Sequence, residues 1–140
     1  MRIIDTSSDF QSVYDDGKFN LDAWEIYIDR WIPNAKELCL RDMKDCINAG
    51  CSWDKDYVPV LNAVHTNHEK REETIRAFYE ISEHLEEKLT KVFGKSVDAD
   101  IVLYIGLCNG AGWVTKIQER TTVLLGIEKI IDLIGAGKTI

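Results

Sequence analysis

The chain has 140 residues, enough for one domain of ordinary size, and 45% of them are hydrophobic, enough for a core. Its formal net charge of -7 argues against nucleic acid and anionic membranes as partners, because both favour a basic protein face. No apolar run approaches the roughly 20 residues that span a bilayer, and the opening MRIIDTSSDF lacks the pattern of a signal peptide. We therefore expect a cytoplasmic protein whose four cysteines are free thiols.

The first part of the chain has the apolar spacing of helices. RIID predicts a short strand, and the TSSD that follows it predicts a helix cap. From Asn20, a good N-cap, apolar residues recur at steps of three and four as far as Cys46. Pro33 should kink or split this stretch, and Gly50 should end it. DYVPVLNAV then predicts a short helix with Pro59 in its first turn.

A long helix is predicted from about Thr66 to Phe93. Thr66 and Glu69 form a T-x-x-E capping box, which typically begins a helix, and Gly94 is placed to end it. The apolar seam alternates in steps of three and four, and the many glutamates lie on the opposite, solvated face. The seam comprises Ile75, Phe78 or Tyr79, Ser82, Leu85, Leu89 and Val92.

The composition changes near residue 97, where β-branched and aromatic residues become frequent. DADIVLYIGLC predicts a buried strand, and Asn109-Gly110 directly after it is a strong hairpin signal. AGWVTKI would return as a second strand, TTVLLGI would add a third, and EKIIDLI predicts a helix. The expected fold is α+β, in one domain. A helical bundle over 1–96 would be followed by a small antiparallel hairpin or three-stranded sheet and the start of a helix over 97–140.

Two histidines are the candidates for metal ligands. His65 and His68 are three residues apart with Glu69 beside them, and a continuous helix would bring both rings to one face. However, H-T-N-H-E matches neither H-E-x-x-H nor H-x-x-E-H, the helices of metalloproteases. The capping box also places a helix boundary between the two histidines. A structural or surface role is therefore favoured, and no metal ligand is assigned.

Gly137-Lys138-Thr139 is similar to the end of a phosphate-binding loop. The full motif needs another glycine five positions before Gly137, where this sequence has Asp132. It also needs a preceding strand, and the residues before it predict a helix. These departures disfavour nucleotide binding, and a glycine-rich helix end is the preferred interpretation.

The stretch YIGLCNGAGWVT, from Tyr104 to Thr115, holds three glycines and a tryptophan. Glycine in a strand often marks a bulge or the close approach of a ligand to the backbone. The simpler alternative is a tight hairpin that needs Asn-Gly for its turn. The chemistry of these residues alone slightly favours the hairpin.

ADIVLYIGLCNGAGWVT, followed by TTVLLGIEKIIDL, resembles a segment of predicted zinc-dependent peptidases of bacterial origin. In that family helices come first, then a glycine-containing hairpin of this kind, then a strand ending in a G-x-E-like sequence. The helix that carries H-E-x-x-H comes next. The resemblance is clearest over 98–133, and before it only the helical character and the start RIIDTSS are similar. The 140 residues contain no H-E-x-x-H, so the zinc ligands and the glutamate base are missing.

The resemblance implies that this chain is the non-catalytic N-terminal part of a zinc metallopeptidase, incomplete as a domain. Zinc is expected only where the missing segment is present. In such peptidases a strand near the metal helix pairs with an extended peptide or protein substrate. The substrate-binding candidates are Asn109, Gly110, Gly112 and Trp113, and no catalytic or cofactor-binding residue is assigned.

The alternative is a self-contained binding or regulatory module without enzymatic activity, with the acidic helices or the hairpin as its contact surface. A truncated catalytic domain should leave an apolar patch where further helices would pack, together with an open sheet edge. Either feature would allow a homo-oligomer.

Overall fold

A computed structural model describes residues 2–94, 98–117 and 119–135. These residues form a mixed sheet of four strands, a separate two-stranded hairpin, and helices. The strands are β1 (Arg2–Asp5), β2 (Tyr14–Asp15), β3 (Lys18–Phe19), β4 (Ala99–Tyr104), β5 (Gly112–Ile117) and β6 (Arg120–Gly126).

Five α-helices in this part of the chain surround the larger sheet, and shorter helical turns connect them. The α-helices are α1 (Leu21–Trp31), α2 (Lys36–Asn48), α3 (Val58–Thr66), α4 (His68–Phe93) and α5 (Ile127–Gly135). The connecting turns are two 3₁₀ segments, Ser7–Val13 and Pro33–Ala35, and a π-helical segment, Trp53–Tyr57.

The predicted signals at the ends of α1 and α2 are confirmed. Asn20 caps α1, because its Oδ1 accepts a hydrogen bond of 2.9 Å from the backbone N–H of Ala23. Pro33 begins the 3₁₀ segment that separates α1 from α2. Gly50, with a φ of 114°, follows the end of α2 in a conformation that favours glycine.

The prediction that α4 begins at Thr66 is wrong. Thr66 is the last residue of α3, where its hydroxyl donates to the carbonyl of Asn62 at 3.2 Å. The cap of α4 is Asn67, whose Oδ1 accepts from the N–H of Lys70 at 3.2 Å. Gly94, with a φ of 68°, ends the helix as predicted.

The buried face of α4 is narrower than the predicted seam. Phe78 and Ser82 are buried, whereas Tyr79 and Val92 are exposed. The side chain of Leu89 lies outside the described part of the protein. Apolar spacing located the inner face of the helix, but it did not show how much of that face the sheet covers.

The strand order of the larger sheet is β1-β4-β6-β5. β4 pairs in parallel with β1 and with β6, and only β5 runs antiparallel to its neighbour β6. The chain thus mixes helices and strands, as expected for the α+β class, but the predicted antiparallel sheet is wrong. The hairpin across Asn109-Gly110 is also wrong, since β4 and β5 do not pair. Within the larger sheet, the hairpin pairs Ile117 of β5 with Arg120 of β6.

The helices before residue 97 pack against this sheet, so a separate helical bundle is not confirmed. All six residues of β4 are buried, which is typical of a parallel strand covered on both faces. On one face, Ile4 and Val102 lie beside Trp31 at the end of α1. On the other face, the Tyr79 hydroxyl of α4 donates to the Asp5 carboxylate.

Two of the four cysteines form a disulfide, so the prediction of four free thiols is wrong. Cys46 and Cys51 are bonded, with their Cα atoms 5.4 Å apart. The turn that ends α2 brings them together, because the N–H of Cys51 donates to the carbonyl of Cys46 at 2.9 Å. Cys39 and Cys108 are free.

Within the described ranges, no helix combines the length and the apolar character needed to cross a membrane. The motif Gly137-Lys138-Thr139 lies outside these ranges.

Candidate functional site: the β5 edge and the Glu128 loop

The loop that joins β4 to β5, residues 105–111, folds around one carboxylate. Glu128 lies in the first turn of α5 and is 1% exposed. Its Oε1 accepts from the N–H of Gly106 at 3.0 Å, and its Oε2 accepts from the N–H of Cys108 at 2.9 Å. A single side chain therefore holds the loop at the carboxyl ends of the parallel strands β4 and β6, the edge at which open α/β sheets usually bind ligands.

Two glycines make room for this carboxylate. A Cβ on Gly126 would lie 2.8 Å from the carbonyl oxygen of Gly110 and 2.9 Å from Glu128 Oε1. A Cβ on Gly106 would lie 3.0 Å from Glu128 Oε2. Real Cβ atoms do not approach a fixed backbone oxygen so closely, so a larger residue at Gly126 would push the loop away.

Burial raises the pKa of the Glu128 carboxyl above its ordinary value, and the hydrogen bonds from Gly106 and Cys108 offset part of that rise. A buried carboxyl with a raised pKa is a frequent mark of a functional site. Here both oxygens bind backbone N–H groups of the same loop. We therefore assign Glu128 to organising the loop rather than to reacting with a substrate.

Trp113, one of the substrate-binding candidates, is anchored to β4, which lies on the far side of β6. Its indole N–H donates to the Tyr104 hydroxyl at 2.9 Å. The Cys39 thiol of α2 lies 4.0 Å from the same hydroxyl. The polar atom of Trp113 is thus used inside the protein, and the ring fixes the position of β5.

The two free cysteines are poorly suited to nucleophilic chemistry. Burial raises the pKa of the Cys39 thiol to about 12 and raises that of Cys108 further. The thiolate is the reactive form of cysteine, so neither side chain is activated near neutral pH.

Asn109, another candidate in the loop, also makes internal contacts, and Gly110 follows it. Asn109 Oδ1 accepts from the N–H of Leu107 at 2.9 Å, and its Nδ2 donates to the carbonyl of Cys39 at 3.3 Å. Gly110 has a φ of 145°, a conformation open to glycine. The Asn109 side chain fastens the loop to α2 instead of forming a hairpin turn.

β5 is an open edge of the sheet. It pairs with β6 on one side, and no described strand pairs with its other side. The N–H of Gly126 donates to the carbonyl of Ala111, so these two residues face each other through their backbone groups. Along an antiparallel pair, every second residue does the same. From this pair, the backbone groups of Trp113 and Thr115 point to β6.

It follows that the N–H and C=O groups of Gly112, Val114 and Lys116 point away from the sheet. The side chains of Val114 and Lys116 lie on the same face, beside Val123 and Thr121 of β6. Val114 is 64% exposed. The edge therefore offers three residues of unpaired backbone with an exposed apolar side chain at its centre.

The two histidines do not converge on a metal. His65 lies in α3, where its ring packs against Tyr14 with centroids 4.9 Å apart, while His68 begins α4 and is exposed. The predicted helix boundary between them is confirmed, and it falls at Asn67. Across residues 2–94, 98–117 and 119–135, no group of three or more His, Cys, Asp or Glu side chains is arranged to hold a metal ion.

Comparison with known proteins adds no relative: no family model, no curated protein and no solved structure matches the chain.

Sequence reasoning missed Glu128, the side chain that organises the loop. It lay within EKIIDLI, where its charge fitted the first turn of a helix. The available signal was its position two residues after Gly126, at the end of an apolar strand. An acidic residue at the start of a helix can turn inward when a glycine leaves space for it, but only the fold shows which backbone groups it meets.

Proposed function

We propose that this chain binds an extended peptide along the open edge of β5, as the helical subdomain and substrate-side sheet of a zinc metallopeptidase. The supporting observation is the unpaired backbone of Gly112, Val114 and Lys116 on an antiparallel edge strand. Addition of a peptide strand to such an edge satisfies these groups, and its side chains can then be selected by the surface beside them.

β5 suits this role better than β1, the strand at the other edge. β1 has four residues and ends at Asp5, whose carboxylate accepts from Ser7 and from Tyr79. These contacts tie the end of β1 to the turn that follows it and to α4. β5 has six residues, which gives room for a peptide of about five residues.

The described residues do not fit a zinc site. His65 and His68 lie in different helices and face different surroundings, and His65 packs on an aromatic ring. We therefore assign no step of a hydrolytic reaction to this chain. Zinc and the residues that bind it would come from an H-E-x-x-H segment of a parent protein.

The alternative is a self-contained binding module that uses the same edge without any catalytic partner. The parent reading frame separates the two proposals, because an in-frame H-E-x-x-H after codon 140 favours the peptidase and a stop codon there favours the module. We also propose the cytoplasm as the compartment, where the Cys46–Cys51 disulfide would be an exception to the usual reduced state of thiols.

Amide hydrogen exchange tests peptide binding at β5. The probe is a pool of random heptapeptides at millimolar concentration. We expect slower exchange at Val114 and Lys116, whose N–H groups face outward, and little change at Trp113 and Thr115, which already bond to β6. The substitution Val114→Pro removes one outward N–H donor and keeps every hydrogen bond between β5 and β6. It should weaken the binding of peptides selected from the pool about tenfold.

Val114→Thr is the matched control, since it keeps the N–H and the β-branched shape, and it should bind as the wild type does. Circular dichroism and urea unfolding establish that both variants are folded. Uniform protection of β5, or equal binding by the proline and threonine variants, would show that the edge is not the binding surface.

A further inference from the structure

The open edge of β5 carries an unpaired positive charge. Lys116 is exposed and makes no ion pair with any described residue. The protein as a whole has a net charge of -7, so this lysine departs from the general charge of the surface. An opposite charge placed directly across a strand pair stabilises the pairing.

The other end of the same edge lacks a side chain. Gly112 lies on the same sheet face as Val114 and Lys116, and a Cβ there would already meet Leu125 Cδ2 at 3.2 Å. An aromatic residue on the neighbouring strand can cover a glycine at an edge and shield its backbone. The edge therefore has three distinct positions: Lys116 is cationic, Val114 is apolar, and Gly112 has no side chain of its own and lies beside Leu125.

The proposed peptide pairs antiparallel to β5, as β6 does on the other side of that strand, and this direction sets the order of its residues. Because β5 runs from Gly112 to Ile117, an antiparallel strand has its N-terminal end beside Lys116 and its C-terminal end beside Gly112. Residues directly opposite one another lie on the same face of the sheet. We infer that the β5 edge selects peptides with the pattern acidic-x-β-branched-x-aromatic, read from N- to C-terminus, an inference that rests on the proposed peptide binding.

A charge exchange tests this pattern. The first probe is acetyl-Ser-Glu-Thr-Val-Thr-Phe-Ser-amide, and the second carries Lys in place of Glu. The wild-type protein should prefer the first probe about 3- to 10-fold, measured by isothermal titration calorimetry at low salt. Lys116→Glu should reverse the preference. Replacing Phe by Ala in the first probe should weaken binding severalfold in both proteins.

Lys18→Glu makes the same change of net charge on β3, outside the larger sheet, and should leave the preference unchanged. Binding of both probes with equal affinity, or no binding of either, overturns the inferred pattern. If the random pool still protects Val114 and Lys116 in either case, peptide binding at the edge stands without this selectivity.

A second copy of the chain is the rival occupant of the edge. Sedimentation velocity of the free protein decides between them. A monomer supports the peptide as occupant, whereas a dimer that Val114→Pro dissociates would place a second β5 on the edge and overturn the inference.

Discussion

Glu128 shows how one side chain can determine the course of a loop. Its two oxygens hold the N–H groups of Gly106 and Cys108, and Gly126 leaves the space in which the carboxyl lies. Cys108 takes a φ of 59°, which is uncommon for a residue with a side chain. The hydrogen bonds to Glu128 compensate for that conformation.

Gly126→Ala should therefore destabilise the protein. The new Cβ would lie within 3 Å of the Gly110 carbonyl and of Glu128 Oε1, and crowding of this kind costs about 1–3 kcal/mol. Gly112→Ala is the control, because its Cβ would crowd only the movable end of Leu125, with the Leu124 carbonyl oxygen at an ordinary 4.0 Å, and should cost less than about 1 kcal/mol. Urea unfolding measures both. Equal losses would mean that the Glu128 loop can move aside freely.

Among the elements, the strands show where local signals were misleading. Asn109-Gly110 predicted a turn between two paired strands, but Asn109 bonds to Leu107 and to α2. The strand that follows, β5, takes the outer position in the sheet, and β6 lies between it and β4. The strands of the larger sheet were located correctly, although β4 ends at Tyr104 rather than Cys108, and neither β2 nor β3 was predicted. The neighbours of each strand were not predicted correctly, because pairing depends on contacts between distant segments.

The disulfide at the end of α2 leads to a prediction at this scale. The bond between Cys46 and Cys51 closes a short loop. Closing such a loop lowers the entropy of the unfolded chain, which raises the free energy of unfolding by about 2 kcal/mol. Reductant should lower the free energy of unfolding by that amount. The double variant Cys46→Ser, Cys51→Ser should not respond to reductant. Alkylation of four thiols in the unreduced, denatured protein would contradict the disulfide.

At the scale of the whole molecule, one carboxylate joins the first strand to the last. Asp100 of β4 accepts from Arg2 of β1 at 2.8 Å and from Arg120 of β6 at 3.0 Å. Its side chain is 5% exposed. Burial alone would raise the pKa of Asp100, but the hydrogen bonds and charges of the two arginines outweigh it and lower the pKa.

Asp100 should therefore make the protein sensitive to acid. Because its pKa is lower in the folded state, its stabilising contribution is present above the unfolded pKa of about 4 and is lost as the pH falls through the folded value. Asp100→Asn should lower stability at pH 7 by about 1 kcal/mol and flatten the loss below pH 4. Thermal unfolding from pH 2 to pH 7 measures this dependence.

Asp98→Asn is the matched control for this measurement. Asp98 also pairs with Arg120, but its side chain is 84% exposed, and exposed ion pairs contribute little to stability. This variant should keep the pH dependence of the wild type. If both variants flatten the curve equally, the buried position of Asp100 is not the cause.

The sequence by itself determined the features that depend on neighbouring residues. Asn20 capped α1, Pro33 separated α1 from α2, and the apolar run of β4 predicted a buried strand, because caps, proline and periodicity act within a few residues. The location of α4 was also predicted, within two residues of its start.

Only the tertiary structure decided which strands are neighbours and where Glu128 points. The pairing of β4 with β1 joins residues almost one hundred positions apart, and no local pattern encodes a partner at that distance. The open edge of β5 follows from the order of the whole sheet. β6 occupies the place beside β4 that the Asn-Gly signal had assigned to β5. The candidate site is therefore a consequence of sheet order, which is set by the competition among long-range pairings rather than by the residues of the site.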